Sequence, residues 1–422
     1  MPIGVTAAFL LALALAQTPA PAHAQVDLFS RDTLSAFAEA RLTAANGEKS
    51  WIDGGQGKTA ASGAGDDFKI RPSLAEADII WKPSFGWNLG ATVVGQYQPA
   101  QPRTFGVGEA FVTYRPTPTG PLRQQIRAGI FWPPVSQEHS GPTWAVTDSI
   151  TPSAINSWIG EEVKVAGAEY SFNRTFESGQ ELGGTIGLFG LNDTYATLLT
   201  FRGWALHDLK STHGGDFPLR AMTPFMRNRQ APLTTPLLEL DDKVGWYARV
   251  DWRPIGNVML NALYYDNAGN PTAVTGTVAS EKQWGWDTRF WNVGGSVKIS
   301  DQWRIKGQAL KGVTLMGIMT PQIWIDVEYQ SAYVMLSRSF GDRVLSGRVD
   351  YFETTDNTWK AVDNNAEHGM ALMAAWRQPI NAHVQWLLEA QQVLSTRSDR
   401  RRSGVAPTQN QTVISSALRV SF

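Results

Sequence analysis

Val413-Ile414-Ser415-Ser416-Ala417-Leu418-Arg419-Val420-Ser421-Phe422, the last ten residues of the chain, decide how the rest is read. Counting back from the end, Phe422, Val420, Leu418 and Ile414 share one parity, with Ser416 the small exception. Ser421, Arg419, Ala417 and Ser415 share the other. A period of two places each set on its own face of a β-strand. In a soluble protein the apolar face turns to a core. In a membrane barrel it turns to lipid, and the polar face lines the lumen.

The opposite end supports export. Val5 to Ala16 is an apolar run of h-region length, and Ala22-His23-Ala24 is an A-x-A-type cleavage site. Residues 1–24 are therefore expected to be a signal peptide, with Gln25 the mature N-terminus and 25–422 a single domain. No Lys or Arg precedes the apolar run, which is atypical.

Composition removes several classes. The chain has no cysteine, so thiol chemistry and zinc–thiolate sites are excluded. A net charge of −1 offers no basic footprint for nucleic acid. Mean hydropathy is −0.22, and no mature stretch approaches a transmembrane helix. Barrel strands alternate and average out, so that value is compatible with a membrane protein. The 17 Trp and 39 Gly fit a barrel with aromatic girdles, and equally a propeller or a carbohydrate-binding sandwich.

Short alternating segments separated by turn chemistry run through the mature chain, which reads as all-β. Their connections alternate between two kinds. Short ones include Lys82 to Gly86, Arg253 to Asn257, Gly341-Asp342 and Gln378 to Asn381; long polar ones include Ala44 to Asp67, Pro133 to Gly160, Asn192 to Lys243 and Ser395 to Asn410. Short turns on one rim and long loops on the other are the asymmetry of an outer-membrane barrel, and the segments number about sixteen. Thr197 to Arg202 could add a strand pair. Trp81, Trp87, Tyr114, Phe172, Trp252, Trp303, Phe340 and Trp376 mark the short-turn rim with Phe422, and Tyr97, Trp132 and Tyr264 are expected in the outer girdle.

The alternation also assigns a lumen. Trp246, Ala248 and Val250 oppose Tyr247, Arg249 and Asp251; Ile305 and Ala309 oppose Arg304, Lys306 and Gln308; Leu345, Val349 and Tyr351 oppose Ser346, Arg348 and Asp350. Unpaired charges cost several kcal/mol each to bury, so water is expected to reach this inner face.

In these features the chain resembles a bacterial outer-membrane porin over its mature length. The resemblance implies a transmembrane antiparallel β-barrel of about sixteen strands that lets small hydrophilic solutes diffuse passively. It implies that outer-membrane lipid and lipopolysaccharide surround the wall, that the barrel-assembly machinery reads Leu418, Val420 and Phe422, and that the assembly is a homotrimer. In porins the loop after the fifth strand folds into the barrel. Here that strand is Arg123 to Trp132, and its loop, Pro133 to Gly160, carries Glu138, His139, Trp144, Asp148, Asn156 and Trp158. Trp144 and Trp158 could instead anchor the loop by packing, and Asn192 to Lys243 is the rival constriction. Lumen candidates are mixed in sign: Arg123, Arg127, Arg249, Arg304, Lys306 and Arg348 against Glu76, Asp78 and Glu109. Arg123, Arg127, Arg304, Lys306 and Arg348 are expected to form a basic wall across an open eyelet from the acidic loop. Among porins the chain is similar to the phosphate-selective type at Arg343 to Phe352, although no single arginine column is found.

Two other classes stay open. A barrel lipase or protease needs a Ser or Asp with a His in reach, and only His207-Asp208 and Glu138-His139-Ser140 offer adjacent pairs. A surface adhesin or receptor would use the long loops. No cofactor is expected. Asp53-Gly54-Gly55 and Asp363-Asn364-Asn365 suggest Ca²⁺ loops, but neither has a complete ligand set, so no metal site is assigned.

Overall fold

A computed structural model of the chain describes residues 28–63, 65–318, 323–358 and 363–422. The leader expected over 1–24 lies outside the described residues. The strands are β1 (Leu34–Gly47), β2 (Gly65–Trp81), β3 (Leu89–Tyr97), β4 (Phe105–Tyr114), β5 (Leu122–Phe131), β6 (Val165–Thr175) and β7 (Glu181–Gly190). Then come β8 (Phe217–Pro218), β9 (Leu233–Thr234), β10 (Gly245–Arg253), β11 (Val258–Asp266), β12 (Val274–Thr275), β13 (Gln283–Trp284) and β14 (Asp287–Lys298). The chain ends with β15 (Trp303–Ile318), β16 (Ile323–Phe340), β17 (Arg343–Asp356), β18 (Glu367–Pro379), β19 (Val384–Arg397) and β20 (Thr408–Ser421).

Sixteen of these close an antiparallel barrel, each pairing with its neighbours in chain order and β20 returning to β1. The short pairs β8–β9 and β12–β13 stand apart from it. Closure pairs every wall strand on both sides, the condition for a sheet in lipid, although β2 before Ala77 rises beyond its ladder with β3. Phe422 completes the seam through reciprocal backbone bonds of 3.0 Å with Ala36. No helix among the described residues is long and apolar enough to cross a membrane.

The two faces follow the period-two assignment. Ile186, Leu188, Val250, Val293, Val334, Val349, Leu372, Ile414 and Leu418 point outward and are exposed. So large an apolar belt is stable only against another apolar phase. The aromatics of the short-turn rim are exposed at Trp87, Phe172, Trp252, Phe340 and Phe422. Trp132 differs from its expected place: it is buried and stacks on Trp144 at 4.5 Å. Pro133-Pro134 end the β5 ladder just before it, and the chain turns inward there instead of rising to the girdle.

Inward-facing aromatics are seated on glycines. Tyr247 pairs with Gly187, Tyr329 with Gly312 and Phe352 with Gly369 across neighbouring strands. A Cβ on those glycines would meet the ring at 2.2, 2.5 and 2.4 Å respectively. A ring lying flat over a glycine covers the exposed backbone and leaves the lumen free for other chain segments.

Each of those segments carries one short α-helix. α1 (Ala154–Glu162) follows β5, and α2 (Thr197–Arg202) follows β7. Every residue of both is buried. Thr197 to Arg202 is thus a helix in the lumen, and it adds no strand pair to the wall. A surface strand alternates apolar and polar residues; Thr-Leu-Leu-Thr-Phe-Arg does not, and it is apolar on every side that packs.

Candidate functional site

The interior of the barrel is built mainly from two inward segments, 132–164 and 191–244, held by side chains of the wall; the 48–63 loop packs on the second through Trp51 and Thr59, and its buried Lys58 lies 2.6 Å from Glu367 on β18. Pro133-Pro134 launch the first, and Ser153 caps α1 by accepting from Asn156 N. Glu138 is the hub of its turn. Its carboxylate accepts from Ser153 N at 2.9 Å, Ser153 Oγ at 2.6 Å and Asn156 Nδ2 at 2.6 Å. Arg348 on β17 reaches Glu138 at 3.0 Å and Asp350 at 2.8 Å, and donates to the carbonyls of Thr151 and Pro152. Glu389 on β19 accepts from Ile150 N at 2.7 Å. Gln308 on β15 accepts from Gln137 N and Asn156 Nδ2 and donates to Val135 O. Arg304 and Lys306 both reach Asp148, at 2.5 and 3.0 Å. Burial pushes the Asp148 carboxyl up, but those two cations hold it below its ordinary range.

The remaining candidates divide by environment. Arg127 holds Glu169 at 2.8 Å with its guanidinium 4.0 Å over Phe131, and Tyr247 donates to the same carboxylate at 2.6 Å. Arg249 pairs with Asp251 and donates to Pro134 O. Glu76 lies 2.6 Å from Lys210 of the second segment, with Asp78 buried beside it. Glu109, half-buried, faces Lys164 and Arg127. His139 stacks on Trp144 at 3.5 Å and shares a 2.8 Å contact with Ser136 Oγ; burial, then Lys210 and Lys306, drive it well below its ordinary value. Arg123 is exposed and, alone of the basic candidates, makes no ion pair among the described residues.

Two expectations are corrected here. The inner face does not stay ionised by contact with water: Arg348, Asp350 and Glu389 are buried, and each is satisfied by the first inward segment. Nor do Arg304, Lys306 and Arg348 stand across an open eyelet from Glu138 and Asp148, because these groups touch. Charge pairing relieves the desolvation that bulk water was expected to relieve.

The two segments also do not compete for the lumen. They lock together. Trp158 on α1 stacks edge-on with Trp204 of the second segment and with Phe290 and Tyr329 of the wall, at 5.9, 5.5 and 5.2 Å. Arg202 on α2 forks onto Glu161 at 2.6 and 2.8 Å, and His207 Nε2 lies 2.9 Å from the same carboxylate. Burial pushes Glu161 up, but Arg202 and His207 outweigh it and hold it at about 2. Glu162 accepts from Leu198 N at 2.8 Å and Leu199 N at 3.2 Å. It thereby caps α2, whose own N-cap position is Ala196 in a left-handed conformation. Burial carries Glu162 up to about 7 despite these bonds. The partners of Glu161 and Glu162 lie some forty residues on and leave no local signal in the sequence.

Below the inward segments a cavity of about 440 Å³ opens on the short-turn side. Arg123, Gln125, Ser171, Asn173, Glu181, Asp251 and Arg253 are among its lining residues. The acidic members of the two acid/His pairs from the sequence are engaged elsewhere, and His139 contacts Ser136 Oγ and not the adjacent Ser140. Asp208 is engaged by Arg41 and His207 by Glu161, and Glu138 is spent on Arg348 and the α1 cap. The Asp363 loop likewise uses its carboxylate on Thr223 at 3.1 Å.

No protein-family model and no curated protein matches the chain. Solved structures do. The outer membrane channel DcaP of Acinetobacter baumannii is 12% identical, with 93% of this chain and 99% of that one covered and a TM-score of 0.55. OmpT of Vibrio cholerae with loop L8 deleted, an outer membrane protein, is 11% identical over 92% and 99% at 0.51. An anion-selective porin from Comamonas acidovorans is 12% identical over 92% and 99% at 0.50. The closed sixteen-stranded barrel and these likenesses agree that the chain has the fold of the bacterial outer-membrane porins.

Proposed function

We propose that the protein is an outer-membrane channel for small hydrophilic solutes, narrowed by both inward segments together. The observation that carries this is the interior itself: a porin-fold barrel whose lumen charges are spent on holding two chain segments across it, above a polar vestibule on the short-turn side. At mid-height Tyr265, Phe290, Tyr329 and Tyr333 are nearly inaccessible, so the passage is tight and small solutes are favoured. Residues 1–24 direct export, and Leu418, Val420 and Phe422 present the assembly machinery with its strand. Membrane lipid and lipopolysaccharide cover the apolar belt. The strands β3 to β7, β10 and β11, at 9–11 residues, make a low side of the wall against which two further copies dock as a homotrimer.

Arg123, unpaired at the vestibule, gives the entrance a preference for anions, phosphate among them. The Comamonas porin of the same fold is described as anion-selective. Planar-bilayer conductance with reversal potentials in a salt gradient tests both statements. The expected result is a small, steady, mildly anion-preferring conductance. It should rise when Pro133 to Gly160 is shortened to a turn and lose its anion preference in Arg123→Gln. Absence of any conductance from folded protein, before and after shortening, overturns the channel.

A further inference from the structure

The outer ends of the second inward segment meet at three carboxylates. Asp193 lies three residues past the end of β7, and Glu239 and Asp241 lie just before β10. One oxygen from each falls within 4.8 Å of the others. Backbone amides hold all three in place as acceptors. Leu240 N and Asp241 N donate to Asp193 Oδ2, Leu191 N and Asp242 N to Glu239, and Lys243 N to Asp241. Amide donors favour the ionised carboxylate, so they concentrate negative charge at one point.

Among the described residues a single ion pair opposes that charge. The nearest ammonium, Lys243, is 3.9 Å from Asp241 and half exposed. Asp193 is fully buried, and its second oxygen, Oδ1, has no hydrogen-bond partner. A buried carboxylate oxygen without a donor costs the desolvation of a charged acceptor, on the order of 1–3 kcal/mol or more. A proton is shared between two carboxylates at most, whereas a cation serves all three together.

We infer that Asp193, Glu239 and Asp241 bind a Ca²⁺ ion that staples the two ends of the 191–244 segment at the outer mouth of the barrel. Ca²⁺ takes oxygen ligands at about 2.3–2.6 Å in irregular geometry, so oxygens up to about 5 Å apart share one ion. Mg²⁺, with a sphere about 4 Å across, is tighter than this arrangement asks for. Water completes the coordination. The sequence conceals the site because its ligands come from the two ends of a long loop and form no local motif.

Tb³⁺ substitutes for Ca²⁺ and luminesces when a nearby indole transfers energy to it. Trp286, whose backbone N–H donates to Asp193 O at 2.7 Å, is the antenna. Chelator-treated, refolded full-length protein titrated with Tb³⁺ should give saturable sensitised emission that Ca²⁺ displaces. Asp193→Asn and Glu239→Gln should each weaken Tb³⁺ binding at least tenfold, and Asp242→Asn, at the exposed neighbour, should not. Ca²⁺ should also raise the temperature at which the wild-type barrel loses its folded mobility in SDS, with no effect in Glu239→Gln. If Asp193→Asn does not refold, Glu239→Gln decides. Absence of saturable emission, or equal emission from wild type and a folded Glu239→Gln, overturns the site.

Discussion

Arg348 and Glu138, 210 residues apart in the chain, meet at 3.0 Å inside the barrel and tie the inward loop to the wall. The guanidinium is shared with Asp350 and two loop carbonyls, so every charge in the cluster is satisfied while buried.

Arg348→Leu should therefore be severe. It leaves Glu138 and Asp350 buried without their cation, a loss of roughly 3–5 kcal/mol for one-sided removal of a buried pair. Heat-modifiability on SDS gels should show unfolding at lower temperature, and single-channel conductance should become larger and noisier. Wild-type stability would mean the loop is held elsewhere.

The register is tested by opposite faces. Ala248→Arg places a charge on the outward face near mid-strand and should cost on the order of 2–4 kcal/mol in a bilayer. Ser171→Arg points into the vestibule and should fold normally while changing ion selectivity. Gln308 is unsuitable as a lumen control, since it bonds the inward segment at three places. Reversed outcomes for Ala248 and Ser171 would mean a one-residue slip.

Acid should loosen the α1–α2 lock in a defined window. Glu161 is held at about 2, below its ordinary 4.5, so its contribution is full above about 4.5 and is lost as pH falls towards 2. Glu162, raised to about 7, acts in the other direction: between about 4.5 and 7 the folded state binds the extra proton, and stability falls as pH rises. Denaturation midpoints of Glu162→Gln between pH 4.5 and 7 should lose that downward slope. Glu161→Gln should remove the acid-side loss below 4.5.

Deleting Phe422 should reduce insertion. It removes an outward aromatic and the 3.0 Å backbone bonds that close β20 on β1 at Ala36. Membrane fractions should contain less heat-modifiable protein, with periplasmic degradation products in its place. Normal levels of folded barrel would show that the seam closes without it.

The sequence by itself determined the wall. Alternation at period two is a local property of each strand, and it fixed which of Ala248 and Arg249, or Val349 and Arg348, faces outward. The end of the β5 ladder at Pro133-Pro134 is equally local, because a residue without an N–H ends a ladder wherever it stands, whereas the helix at Thr197 to Arg202 and the burial of Trp132 were decided by the tertiary structure. Only the tertiary structure decided what fills the barrel. Glu161 with Arg202, Asp148 with Lys306, and Asp193 with Glu239 and Asp241 are contacts between distant segments; alternation put Lys306 on the inner face, but nothing local names its partner or those of the others. The charges that seemed to require water are satisfied instead by one another, since a closed barrel brings together groups that the linear chain keeps apart.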